Sequence, residues 1–186
     1  MAITVSSITD KVRYLIQDFA KSTKDIFTAG NSSIFTLTED NPVSITAVYK
    51  NSTELSSGQW SFDSSTNKVT ISTTVNAGDI IEIDYTYYPT YSTSEITGYI
   101  NSALIIISSF SYYTWSIEND NIYPEPNTEE QNLIALVASI LINPNNKSFS
   151  LPNIKVNVPK DLPTTDKINK IISIFKHNSS GIFEVL

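Results

Sequence analysis

The sequence predicts an α+β protein: a bundle of about four helices with an inserted small antiparallel β domain. Three observations predict it. From Ile34 to Tyr88, short apolar–polar alternations are broken by Asn, Gly, Ser and Asp, the mark of antiparallel strands joined by tight turns. On both sides of that stretch the apolar residues recur every three or four positions, as on one face of a helix. Two boxes, Ser92-Thr-Ser-Glu95 and Thr128-Glu-Glu-Gln131, stand at the heads of helical runs. Residues 1–30 and 89–186 are expected to form the helical part and residues 31–88 the inserted β part.

The first helix opens near Ser7, whose hydroxyl can accept a free backbone N–H, with Asp10 adding negative charge in the first turn. Ile8, Val12, Leu15, Ile16 and Phe19 fall on one stripe of about four turns. Lys21 to Gly30 reads as a polar connection. In the β stretch, Phe35 and Leu37 share a face. After Ile45 the alternation shifts register or bulges. Lys50 to Thr53 is a hairpin turn, Trp60 and Phe62 share a face, and Val69 and Ile71 resume the pattern after a turn at Asp63 to Asn67. Ile81, Ile83 and Tyr85 then alternate with Ile80, Glu82 and Asp84. Five or six strands with loops this short make a meander or small sandwich.

After Pro89, a helix from Ser92 carries Ile96, Ile100, Ala103, Ile107, Phe110 and Ile117 over more than twenty residues. Leu104, Ile105 and Ile106 widen its stripe, so it is expected to be the central helix. Tyr112, Tyr113 and Trp115 near its end either pack into a neighbouring element or form a subunit interface rich in Tyr and Trp. Glu118 to Asn127 reads as a loop. The helix from Thr128 carries Leu133, Ile134, Leu136, Val137, Ile140 and Leu141 and ends at Asn143-Pro144. Ile154, Val156 and Val158 alternate with polar residues between prolines, as in an edge strand or exposed arm. Pro163-Thr-Thr-Asp166 starts a last helix with Ile168, Ile171, Ile172 and Phe175 on its stripe. The tail residues Ile182, Phe183, Val185 and Leu186 are apolar, suited to burial on this chain's core or to a strand on a partner's sheet.

Composition narrows the chemistry. The chain has 186 residues, 40% of them hydrophobic and 17% charged, which places it with folded proteins rather than disordered ones. A formal net charge of -7 argues against a general nucleic-acid binder. Without cysteine there is no disulfide, zinc–thiolate site or thiol nucleophile. His177 is the only histidine and suits a helix C-terminus, where a cation complements the dipole. No signal peptide is read at the start, and the longest apolar run, Ala103 to Ile107, is too short to span a bilayer. The expectation is a soluble protein made in a cytoplasm.

No phosphate-cradling loop, dinucleotide fingerprint, nucleophile elbow or zinc-binding His-Glu-x-x-His is present. Glu82 and Asp84 share one strand face and could act as paired carboxylates, but the same pattern is that of an ordinary solvated face. Glu118 and Asp120 lack the spacing of a calcium loop. The aromatics Trp60, Phe62, Tyr85 and Tyr87 read as core, with a ligand-binding surface as the alternative. No metal or cofactor is expected.

The opening Ile8-Thr-Asp-Lys-Val-Arg-Tyr-Leu-Ile16, the capped helices from Ser92 and Thr128, and the extended arm from Ser150 to Pro159 before a closing helix resemble the head–tail connector (head-completion or adaptor) proteins of tailed bacteriophages. The β stretch, with Ala47-Val-Tyr-Lys-Asn51 and Ala77-Gly-Asp-Ile-Ile-Glu-Ile-Asp-Tyr85, is similar to β modules of phage structural proteins. It is larger than the simplest adaptors carry. The resemblance implies a non-enzymatic structural virion protein without cofactors, located at the head–tail interface after synthesis in the host bacterial cytoplasm. It implies a homo-oligomeric, twelve-fold ring under the portal protein, with a downstream tail or neck protein as a further partner. Genomic DNA would pass through the lumen without specific binding, and no membrane is involved. The candidate interface residues are Tyr112, Tyr113, Trp115, Ile154, Val156, Val158, Ile182, Phe183, Val185 and Leu186. Rival readings are a β-type glycan- or surface-binding module displaying the Trp60–Tyr87 aromatics, and a small enzyme using Glu82 and Asp84.

Overall fold

The computed structural model describes residues 3–146, 148–151, 154–157 and 162–178, with side chains described throughout except at 151, 154, 155 and 176–178. The class is α+β, with four helices and antiparallel sheets. The chain divides into two compact units, one of residues 1–17 and 93–186 and one of residues 18–92.

The helical unit starts with α1 (Val5–Ile16), capped by the Thr4 side chain and not by Ser7, whose own N–H lies 3.3 Å from Thr4 Oγ1. Ile8, Val12 and Leu15 are buried as the spacing predicts, and Val5 ahead of the expected stripe is buried too, but Gln17 takes a left-handed cap conformation (φ 60) and ends the stripe. Phe19 therefore falls past the helix and is exposed. Next comes α2 (Thr93–Ser108), shorter than expected. Ser108 and Ser109 turn their hydroxyls to the backbone, Ser109 Oγ donating to Ile106 O (2.6 Å) and Ser108 Oγ accepting from Trp115 N–H (3.1 Å). Such local bonds compete with the helix and end it.

Ile117 thus lies in a strand. β8 (Ser116–Glu118) and β9 (Asn121–Tyr123) pair as a hairpin where a loop was expected. Its two turn residues, Asn119 and Asp120, both have positive φ (49 and 63), as a tight two-residue hairpin turn requires. The chain start joins this hairpin through the Thr4–Asn121 bridge and the bond from Val5 N to Asp120 O (2.9 Å).

The enclosed helix is α3 (Thr128–Ile142), not α2. Glu130 and every residue from Asn132 to Ile140 are buried, and α3 touches α1, α2 and α4 (Thr164–Asn178). A helix that is apolar all round must be covered on all sides, and Ala135, Ala138 and Ser139 let its neighbours come close. On α2 the buried face is only Ile96, Ile100, Ala103, Leu104 and Ile107, while Ile105 is 64% exposed. From α1, Lys11 Nζ reaches both Gln131 Oε1 and Asn132 Oδ1 on α3 (3.0 Å each), and burial pulls its ammonium below the ordinary lysine value. The α4 stripe of Ile168, Ile171, Ile172 and Phe175 is buried as expected. The extended arm is instead half of a hairpin, β10 (Ser148–Leu151) with β11 (Ile154–Asn157), and β10 packs on α1.

The β unit contains a strand that the polarity of its residues hid. β1 (Lys21–Thr28), expected as a connection, pairs along its whole length with β7 (Ile80–Tyr87). β3 (Pro42–Lys50) pairs with the other edge of β7 and with β4 (Thr53–Glu54), giving the order β1-β7-β3-β4. The shift expected after Ile45 is present between Ile45 and Ala47. A second sheet has the order β2-β6-β5, from β2 (Ile34–Thr36), β5 (Trp60–Asp63) and β6 (Lys68–Ile71). Both sheets bury residues in one core: Val48, Ile81, Ile83 and Tyr85 from the first, Phe35, Val69 and Ile71 from the second. The β order is therefore not a simple meander, because β7 inserts between β1 and β3.

Candidate functional site

The aromatic cluster after α2 builds a cleft that joins rings to carboxylates. Ending α2 at Ser108 sends the chain back over the head of α3, so Tyr113 and Trp115 come beside Pro124, Glu125, Asn127 and Glu130. These six residues line a cleft of about 300 Å³. Trp115 is 5% exposed and packs against Tyr113 with ring centroids 6.2 Å apart and planes at 58°. Among the described residues its indole N–H has no hydrogen-bond partner. Tyr112 and Tyr113, by contrast, are 63% and 52% exposed.

The polar wall comes from the helix cap. Asn127, not Thr128, caps α3: its Oδ1 accepts from the N–H groups of Glu129 (2.9 Å) and Glu130 (3.0 Å), and Glu130 Oε2 accepts from Asn127 N–H (2.7 Å). The capping box is therefore shifted one residue from the one expected, which is consistent with Asn ranking above Thr as a cap. Burial pushes the Glu130 carboxyl above the ordinary glutamate value, opposed by the Asn127 N–H bond. Among the described residues no donor reaches Glu130 Oε1. Sequence reasoning singled out the two aromatics and missed Glu130; Asn127-Thr-Glu-Glu130 is the signal that reveals it.

The other candidate interface residues separate. Val156 is buried opposite Phe149 in the β10–β11 hairpin, so this chain uses it for its own packing and it is not offered to a partner. Trp115 is likewise covered within the chain. Ile154 lies in β11, but its side chain is outside the described residues, as are Val158, Ile182, Phe183, Val185 and Leu186. His177 falls within the last turn of α4, and its side chain is also outside them.

In the β unit, Trp60, Phe62 and Tyr87 pack against the core and Tyr85 belongs to it, so these aromatics do not line up as a ligand platform. Tyr85 Oη donates to Asp25 Oδ2 and accepts from Glu39 N–H (3.1 Å each), and burial pushes its phenol up to about 12. Glu82 and Asp84 do share the outer face of β7. Lys24 from β1 bridges them, 3.0 Å from Glu82 and 3.5 Å from Asp84, and the bond to Glu82 raises its ammonium above the ordinary lysine value. Cross-strand ion pairing is what a solvated sheet face does. At the turn before β7, Asp79 accepts from Asn76 N–H and Asn51 Nδ2 (2.8 Å each) and pairs with Lys50 (3.0 Å), which together lower its carboxyl to about 2.

Among the described residues no group of three or more His, Asp or Glu is placed to hold a metal ion, and no helix is long and apolar enough to cross a membrane. Compared with known proteins, the sequence matches no family model and no curated protein.

Proposed function

We propose that the protein is a head-to-tail adaptor of a tailed bacteriophage, a structural virion subunit that forms a ring under the portal protein, joins the capsid vertex to the tail and lets DNA pass. One observation supports this reading above others: a helical unit built around an enclosed α3 has a β unit spliced between α1 and α2, in the element order whose sequence signals resemble that family. The net charge of -7 suits a conduit that repels the DNA backbone instead of gripping it. In this reading the subunit works by assembly rather than catalysis, without a cofactor, in a twelve-fold ring at the head–tail interface. Exposed Ile105, Tyr112 and Tyr113 supply apolar contact surface to a neighbouring subunit, the portal or the next tail component.

Native mass spectrometry of the chain, alone and mixed with the portal protein encoded nearest its gene, tests the reading. The expected result is a closed ring of 20.7 kDa subunits, formed alone or on the portal. A strict monomer that ignores the portal overturns it. Portal, capsid or tail genes beside this one would add support.

A further inference from the structure

We propose that the cleft between Tyr113 and Glu130 is an acceptor site for an arginine side chain presented by a partner protein. The inference concerns the chemistry of one cleft within a single copy and goes beyond the ring reading; either can fail without the other.

Four features of the cleft specify its occupant. Its volume, about 300 Å³, lies at the low end of ligand pockets and suits one long side chain. Two of its walls are aromatic, and the Tyr113 ring is half exposed. Its acidic lining residues are Glu125, which is already engaged within the chain, and Glu130. Finally, Glu130 is 7% exposed as a residue; its Oε2 accepts from the Asn127 N–H, while its Oε1, to which no described residue donates, is not among the fully buried atoms and keeps access to the cleft. Partial burial disfavours the charged form of this carboxylate and raises the affinity of Glu130 for a proton. A cationic donor offsets that penalty.

A helix N-terminus ordinarily favours anions, yet this one is closed to them. The N–H groups of Glu129 and Glu130 both donate to Asn127 Oδ1, and the first turn adds the carboxylates of Glu129 and Glu130. What remains accessible is acceptor and ring surface. Guanidinium matches that pair of demands: it is planar, weakly hydrated, stacks on aromatic faces and donates in a fork to carboxylates. A partner segment bearing one exposed arginine would lay its guanidinium along Tyr113 and donate to Glu130.

The test is a titration of the full chain with N-acetyl-arginine amide, followed by tryptophan fluorescence, against N-acetyl-citrulline amide, which has nearly the same shape and no charge. A Trp115→Phe variant assigns the signal to this cleft rather than to Trp60. The expected result is a saturable change with the arginine compound, absent in Trp115→Phe, and at least about tenfold weaker binding of the citrulline compound, as loss of a charge-assisted hydrogen bond implies. Glu130→Gln keeps an acceptor at the third helical position, so the capping box survives while the charge is lost. It is expected to weaken arginine binding about tenfold. Tyr113→Ala, at an exposed position that leaves the cap intact, is expected to weaken it several-fold, by about the worth of one cation–π contact. Equal affinity for arginine and citrulline, no saturable change, or full affinity in Glu130→Gln each overturns the proposal.

Discussion

α3 and β7 occupy the same place in their respective units, and they are buried in opposite ways. α3 is flanked by α1, α2 and α4, and every residue from Asn132 to Ile140 is buried. β7 is flanked by β1 and β3, but only every second residue, Ile81, Ile83 and Tyr85, turns inward; Glu82 and Asp84 point the other way. A strand between two partners still owns a free face, whereas a helix among three does not. α3 consequently meets the outside at its first turn, where Glu130 borders the cleft, and β7 meets it along its length, where Lys24 bridges two carboxylates.

That contrast can be broken by substitution. Leu136→Ala, in the fully enclosed part of α3, is expected to destabilise the helical unit by about 2–5 kcal/mol in urea unfolding, because no side of α3 can relax into water. An equally large loss from Ile105→Ala on α2 would contradict the assignment of α3 as the enclosed helix. Tyr85→Phe is expected to cost the β unit about 1–3 kcal/mol, since Glu39 N–H and Asp25 both lose a partner in a covered site.

pH sharpens the comparison through two carboxyls of opposite sign. Asp79 titrates near pH 2 in the folded chain against 3.8 for the free group, so its contribution to the β unit is complete above about pH 4 and is lost as pH falls toward 2. Glu130 is shifted upward, so its proton stabilises the helical unit at low pH and that contribution is lost as pH rises from 4.5 through the raised value. Asp79→Asn is expected to flatten the acid limb of unfolding followed at Trp60, and Glu130→Gln to flatten the opposite slope followed at Trp115. The smallest effect is expected from Lys24→Ala: no measurable change in the unfolding midpoint, as for exposed ion pairs in general.

Long amphipathic stripes and strand alternation were legible in the sequence; elements defined by polar residues were not. α1, α4 and the core face of β7 follow directly from their apolar spacing. β1 has a single large inward-facing apolar residue, Phe27, because its inward positions also include Thr23 and Asp25, the latter serving the Tyr85 hydroxyl. Its alternation is therefore one of contacts and not of hydrophobicity. α2 looked central because Leu104 to Ile107 is its most apolar run, yet width of stripe is a poorer guide than the small residues Ala135, Ala138 and Ser139 that let three helices surround α3. At the cleft, Tyr113 and Trp115 drew notice as aromatics, but their neighbours were obscured by reading α2 about two and a half turns too long and the α3 cap one residue late. Both misreadings trace to hydroxyl and amide side chains that bond locally to the backbone, which periodicity does not register.

The two ends of the β unit are held together: Lys21 faces Tyr87 in the β1–β7 register, and Asp18 Oδ1 accepts from Thr90 N–H at 3.2 Å. On the helical side, Arg13 near the end of α1 donates to Thr93 at the start of α2, at 3.3 Å. A long intervening segment thus behaves, once folded, as a short tether. Closing an open chain of that length to bring α1 against α3 carries an entropic penalty that shrinks by about 0.6 kcal/mol with each halving of the effective length. Folding of the β unit first therefore prepays the search that α1 must make across the sequence. Replacing residues 18–92 with a few glycines should preserve assembly of the helices, whereas an unfolded insert of the original length should slow it.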